Sequence, residues 1–535
     1  MSESSKIINV YPDFDEFGNV GYRLQSYPKG SGMQYQCIVY PERFIPVVFL
    51  PGVMGSNLKT KRTSDKLWRL DSAGSALGWL NKGPARRRTL LDPTKVEVDS
   101  DGRVDDNLAD PGFPSRHARG WGEAGYLSYG EFLPWLQHAL EDFDHYETGL
   151  RSQLVGMSLG QEKGDTPLDE KEMKLSYKYR FPLHVVGYNW LDSIETSATT
   201  LLARIEGIIK DHRSRGIKCE KVILVTHSMG GLVARYCSEL AGGKSLILGI
   251  AHGVLPAIGA ASAYRRMKAG MESSGVEEWI AAQVPGGSGA EMTAVLSQSP
   301  GPLQLLPGVE YGMNWLKIQD GEQTYTLPKA DPYTEIYAVR GKWWSLCEDK
   351  LINPANSAFD KTKLDSDWSA YARLMENIVQ PAIEQLKGRY HSHTHAFYGG
   401  SIPTYSDLVW QSETPMIDGW INKDRKRSAL DSRLIETGGQ THTSRTVATP
   451  LQGEGWASGI HQKYSIVPPD SAELGDGTVP LRSSQIPEHY IRSRLRLNVA
   501  HEPAYKNKAA QQYTLWAIVK IAQNIQQTSL RYENA

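Results

Sequence analysis

The chain has 535 residues, 40% of them hydrophobic and 22% charged, and its 59 basic and 60 acidic residues leave a formal net charge of −1. That is an ordinary globular composition, large enough for a substantial core, and the even spread of charge excludes the basic footprint of a nucleic-acid-binding protein. The cysteines Cys37, Cys219, Cys237 and Cys347 show no C-x-x-C spacing, which excludes a disulfide framework or a zinc knuckle and leaves mostly buried thiols, with one disulfide possible.

The first residues, MSESSKIINVYPDFDEFG, lack a basic stretch followed by an apolar one, and no run reaches the ~18 apolar residues that cross a bilayer. A cytoplasmic chain is expected, one that needs another machine if it is to act elsewhere. In chain order, short apolar runs separated by long irregular or amphipathic stretches predict buried parallel strands with crossover helices. The runs are Ile45–Leu50, Leu183–Gly187, Val222–Thr226, Leu246–Ala251, Ala396–Gly399 and Leu495–Ala500. Between the second and third, Asp192 and Glu195 read as a capping box, and Ile194, Ala198, Leu201, Ile205 and Ile208 form one apolar stripe, so a helix is predicted there. Leu515, Ile518, Val519, Ala522 and Ile525 predict a last helix that covers the sheet. The result is an α/β chain with a mostly parallel central sheet, whose reactive residues stand at the carboxyl ends of strands. Residues 1–58, 181–253 and 391–535 are expected to supply the core, with an insertion at about 401–475, and residues 59–180 and 254–390 to form cap or lid insertions.

The segment KVILVTHSMGGLVARYC, Lys221–Cys237, reads as a strand, a sharp turn and a helix, with Ser228 at the apex. A serine at such a turn is held in a strained backbone conformation that lifts its Oγ above the sheet, and the next helix aims its positive end at the site. Gly230 and Gly231 let that helix start close to the strand. The G-x-S-x-G pattern departs at its first position, where Thr226 stands, and this bulkier residue predicts a helix set slightly further out. A serine nucleophile also needs two N–H donors for the oxyanion. Met229 supplies one, and the turn in FLPGVMGSNL, made tight by Gly52 and Gly55, supplies the other from Val53, or alternatively Met54.

The chain order of such sites is serine, acid, histidine. Asp476 lies in ELGDGTVPLRS between Gly475 and Gly477, on a turn that leaves its carboxylate uncrowded, whereas Asp407 and Asp431 lack such a frame. The run LRLNVA then ends at His501, the base expected to take the Ser228 proton while Asp476 fixes its tautomer. His227 adjoins the serine but should diverge from it on so tight a turn, and His252 is a candidate for the pocket wall. His391, His393 and His395 alternate along a strand and raise zinc ligation, without a matching cysteine or acidic partner.

In their order, PGVMGSNL, THSMGG, AFYGGSIPTYSDLVW and GDGTVP resemble the lineage of lecithin–cholesterol acyltransferase and lysosomal phospholipase A2, with related bacterial lipases and GPI-inositol deacylases. The resemblance covers four or five islands over residues 45–505 and leaves the insertions unmatched. It implies an α/β-hydrolase fold with Ser228 as nucleophile, Asp476 as acid, His501 as base and the amides of Val53 and Met229 as oxyanion donors. Neither cofactor nor metal enters that chemistry. GIAHGVLPAIGAASAYRRM and SPGPLQLLP further resemble bacterial lipase effectors delivered by type VI secretion. That implies a phospholipid substrate at a membrane surface, an immunity protein and a secretion carrier as partners, and no nucleic acid. A phospholipase A is the expectation; an acyltransferase or inositol-lipid deacylase with the same triad, or a non-catalytic binding module, are the alternatives. Trp79, Trp121, Trp135, Trp315, Trp343 and Trp344 in the expected cap suit either a lipid–water boundary or the cap's own core.

Overall fold

The computed structural model describes residues 6–14, 20–29, 32–72, 78–79, 81–105, 110, 112–143, 148–160, 162–163, 166–271, 286–356, 360–413, 429–438, 442–449 and 460–532. Runs such as VVFL and VILVT are apolar throughout because they are covered on both faces, as buried parallel strands must be. Six of them form the central sheet: β1 (Val47–Leu50), β2 (Leu183–Val185), β3 (Val222–His227), β4 (Ile247–Gly253), β5 (Thr394–Gly399) and β6 (Ile491–Leu497). Their order is β2-β1-β3-β4-β5-β6, and every neighbouring pair is parallel.

Side chains alternate across the strands. Val48, Leu50, Leu224 and Ile250 join the core on one face, and Val47, Phe49, Ile223 and Val225 join the core on the other. On the second face lie α1 (Phe132–Leu140) and, further along the chain, the last long helix; on the first lie α2 (Ile194–Ser214) and α3 (Gly230–Glu239). The last long helix is α4 (Lys508–Ala522), and it buries Leu515, Ile518, Val519 and Ala522 as its spacing predicts. Helix α2 buries the predicted stripe, but its cap is Ser193, whose hydroxyl accepts from the Thr196 N–H at 3.1 Å. Asp192 instead accepts from the Ser193 N–H at 2.7 Å, and Glu195 takes the Tyr236 hydroxyl at 2.9 Å. Ser193 stands one residue nearer the first turn and so reaches the orphan amide first.

The segments between the sheet strands pack in more than one place. The segment 59–180 divides. A three-stranded antiparallel sheet of Lys66–Trp68, Leu58–Thr60 and Val96–Val98 stays with the first-face core, together with helix Pro84–Leu90. Residues 121–177 cross to the opposite face, where Phe132, Leu136, Met173 and Tyr177 pack in the core that holds α4. An amphipathic helix has the same periodicity whether it covers a sheet or a lid, so pattern alone does not separate the two. Segments 254–390 and 401–475, by contrast, merge. Strands Gln323–Leu327, Leu316–Asp320, Leu408–Ser412, Ile460–Ile466, Ser444–Thr449 and Arg433–Gly438 lie in that order in one mixed sheet, with Leu316 parallel to Leu408.

Trp79, Trp121, Trp315, Trp343 and Trp344 are each at most 5% exposed. They pack the interior rather than meeting a lipid boundary, and Trp343 stacks on Tyr464 with ring centroids 4.7 Å apart. All four cysteines are free thiols, three of them buried. Among the described residues no helix is long and apolar enough to cross a membrane.

Candidate active site

Because all six strands run the same way, whatever follows their carboxyl ends gathers at one rim. Ser228 follows β3 with φ = 51°, a left-handed conformation that costs a non-glycine residue roughly 1–3 kcal/mol. The turn survives because its neighbours give way. A Cβ at Gly230 would stand 2.5 Å from the Pro51 carbonyl oxygen, and one at Gly52 would stand 3.2 Å from Ser228 Cβ. Room for Thr226 comes from the helix side, where a Cβ at Gly231 would approach its hydroxyl to 3.1 Å. The buried Thr226 hydroxyl pairs with His252 Nδ1 at 2.8 Å, which holds His252 away from the pocket wall it was expected to line.

Two further strand ends bring their residues to the serine. His501 follows β6, and its Nε2 lies 2.8 Å from Ser228 Oγ. Its Nδ1 lies 2.7 Å from Asp476 Oδ2. An ionised carboxylate only accepts, so Nδ1 carries the proton and Nε2 is left to accept from the serine hydroxyl. Asp476 is reached beyond β5, after the chain has run out through the second sheet and returned. Its Oδ1 accepts the N–H groups of Thr478 at 2.9 Å and Val479 at 2.6 Å, a turn that Gly477 permits with φ = 88°. The backbone N–H of His501 donates to the Asp476 carbonyl at 3.0 Å, so acid and base move as one unit. Asp407 is engaged by Arg482 and Lys317, and Asp431 by Lys342, away from this cluster.

The turn after β1 faces the serine. Val53 and Met54 line the same cavity as Ser228, and Met229 is the fully buried first cap of α3. The turn is pinned from several sides: the Gly55 N–H donates to the Gly52 carbonyl at 3.0 Å, the Trp68 indole to the Met54 carbonyl at 2.6 Å, and the Tyr188 hydroxyl to the Pro51 carbonyl at 2.9 Å.

Sequence inspection did not single out Tyr129. Its hydroxyl accepts the Gly52 N–H at 3.0 Å and lies 2.7 Å from His227 Nδ1. His227 Nε2 lies 2.9 Å from the His501 carbonyl oxygen, which can only accept, so Nε2 is protonated and Nδ1 accepts from Tyr129. His227 thus turns away from Ser228, as the tight turn requires, and joins the β1 turn to the His501 loop. Burial, then the neighbouring His501, pushes its pKa down to about 3, so it is neutral at ordinary pH. Burial likewise pushes the Tyr129 phenol up. One of 26 tyrosines in an unmatched segment carried no signal of this role.

The serine, histidine and aspartate open onto a cavity of about 600 Å³ with largely apolar walls. The histidine run lies elsewhere: His395 Nδ1 pairs with Ser493 Oγ at 2.7 Å, and His391 Nδ1 accepts the His393 N–H at 3.1 Å. Among the described residues, no three His, Cys, Asp or Glu side chains are placed to hold a metal ion.

A six-stranded parallel sheet covered on both faces, with a strained serine elbow after its third strand, defines the α/β-hydrolase fold. No family model matches the chain, and no curated protein does. Among solved structures it is similar to a chain in the crystal structure of the Tle4–Tli4 complex, with 25% identity and a TM-score of 0.70 over 90% of this chain and 98% of that one.

Proposed function

We propose that this chain is a serine phospholipase A that cleaves acyl esters of membrane glycerophospholipids, with Ser228 as nucleophile, His501 as base and Asp476 as acid. The observation that carries this is the hydrogen-bonded line from Ser228 through His501 to Asp476, 2.8 and 2.7 Å long, facing a cavity roomy and apolar enough for an acyl chain. As the Ser228 oxygen attacks the acyl carbonyl carbon, His501 Nε2 takes its proton, and Asp476 stabilises the imidazolium through Nδ1–H. The oxyanion forms between the N–H groups of Val53 and Met229. His501 then returns the proton to the departing glycerol oxygen, releasing lysophospholipid. Water, activated by the same imidazole, frees the fatty acid from the serine.

The islands similar to type VI lipase effectors, and the structural likeness to a chain solved in the Tle4–Tli4 complex, support a place for the protein as an exported antibacterial effector. A fold-mate crystallised with a second protein supports a dedicated partner here too, which we assign as an immunity protein. Mass spectrometry of products from mixed bacterial phospholipids tests the activity. Wild type should release fatty acid and lysophospholipid, and Ser228→Ala should lose about 10⁴-fold or more in kcat. Release of head group instead, or equal turnover by both proteins, would overturn it.

A further inference from the structure

The cavity wall around Ser228 is built largely of apolar side chains such as Met271, Met292, Leu296 and Leu305, and one strong cation is set into it. Among the described residues lining the cavity, Arg266 is the only arginine or lysine. It stands in the last turn of helix Ala261–Ala269, and its Nη2 donates to Thr478 Oγ1 at 2.8 Å. Thr478 belongs to the turn that presents the acid, donating its own N–H to Asp476 Oδ1 at 2.9 Å. The same helix grips that turn a second time, through Ser262 Oγ and the Thr478 carbonyl at 2.6 Å. The guanidinium is therefore fixed in orientation at the edge of the triad, on a rigid helix.

A planar guanidinium matches the two non-bridging oxygens of a phosphodiester, and such charge-assisted pairs are strongest where water is excluded. In a glycerophospholipid the phosphate and the sn-2 acyl ester sit on adjacent glycerol carbons, so one cavity can hold both. We propose that Arg266 binds the substrate's phosphodiester while the acyl ester lies at Ser228, which makes this arginine the residue that selects phospholipids over neutral glycerides. The assignment rests on the phospholipase activity proposed above. It adds the chemistry by which that site tells its substrate from an uncharged ester.

The test measures kcat/KM on phosphatidylglycerol and on diacylglycerol of the same acyl chains, in the same detergent micelles, for wild type, Arg266→Ala and Arg266→Lys. Arg266→Ala should lose about tenfold or more on the phospholipid beyond its change on the diacylglycerol, chiefly through KM, and Arg266→Lys should retain an intermediate preference. Thermal unfolding checks each variant, and Arg266→Gln replaces the alanine variant if that one does not fold. Equal losses on both substrates, or none on either, would overturn the role of Arg266. A wild type that prefers diacylglycerol would do the same while leaving ester hydrolysis intact. A wild type that cleaves neither would overturn the proposed activity itself.

Discussion

Two of the clusters of buried titratable groups among the described residues make a comparison, because one of them opens onto a cavity and the other is enclosed by its own hydrogen bonds. At the sheet rim, Asp476, His501 and Ser228 form a line whose last atom, the serine oxygen, faces the space a substrate would fill. Beneath the second sheet, Lys268, Glu348 and Arg445 face each other: Arg445 Nε lies 2.8 Å and Lys268 Nζ 3.5 Å from Glu348 Oε1. Further bonds close that group off, from Lys268 Nζ to the Trp343 carbonyl at 3.1 Å and from Arg445 Nη2 to the Lys268 carbonyl at 3.0 Å. Burial, and then Arg445, pushes the Lys268 ammonium down to about 8. Burial alone would raise the Glu348 carboxyl, but Lys268 and Arg445 hold it at about 2. A displaced pKa therefore follows from burial and pairing, and does not by itself mark chemistry. What separates the clusters is whether a reactive atom reaches open space.

The largest expected effects follow from that separation. Asp476→Asn should lower kcat for ester hydrolysis by about 10⁴-fold, because the amide favours the wrong imidazole tautomer, with little change in thermal unfolding. Glu348→Gln should do the reverse. It leaves Lys268 and Arg445 as buried cations without their shared carboxylate, which costs about 3–5 kcal/mol, read from denaturant unfolding, while the folded fraction keeps its kcat. Loss of activity without loss of stability in Glu348→Gln would undo the distinction.

Residue by residue, a smaller effect comes from the buried histidines. Burial pushes His227, His252 and His395 down to about 3, and His212 and His391 to about 4. Their folded pKa values lie below the unfolded value, so the unfolded chain binds protons that the folded one refuses. Stability is then full above pH ~6.5 and falls as pH drops toward the folded values. Between pH 7 and 5 the loss should be roughly 1–2 kcal/mol for each such histidine, seen as a falling denaturation midpoint. A flat midpoint across that interval would contradict it.

The strands of the central sheet were legible in the sequence and the strand pairing of the second sheet was not, for physical reasons. Buried parallel strands are continuous apolar runs, so β1 to β5 lie within a few residues of the runs that predict them. β6 does not: LRLNVA predicts Leu495–Ala500, but the strand is Ile491–Leu497. It is an edge strand with Arg492 and Arg496 exposed, and an apolar-run criterion passes over such alternation. Ser228, Asp476 and His501 stand out in the sequence because the proposed chemistry asks for those residue types after particular strands, and they lie within hydrogen-bond distance of one another. The merging of segments 254–390 and 401–475 depends on a pairing between Leu316 and Leu408 that no local pattern announces.

Tyr129 belongs to the illegible part and acts on the legible one. Its hydroxyl is the link between the Gly52 amide, beside the expected oxyanion donors, and His227, which holds the His501 loop. Phenylalanine fits the same space among Phe49, Phe132 and Tyr505, so packing should survive the change. What goes is the link: a buried N–H and a buried imidazole nitrogen each lose a partner, worth about 1–3 kcal/mol apiece if nothing replaces it. If the link only held the fold, Tyr129→Phe would lower the unfolding midpoint and leave kcat alone. If it positions the β1 turn against the serine, kcat should fall about tenfold with KM nearly constant, because the interaction matters most when the oxyanion forms. The split between kcat and KM, with unfolding measured alongside, decides between the two.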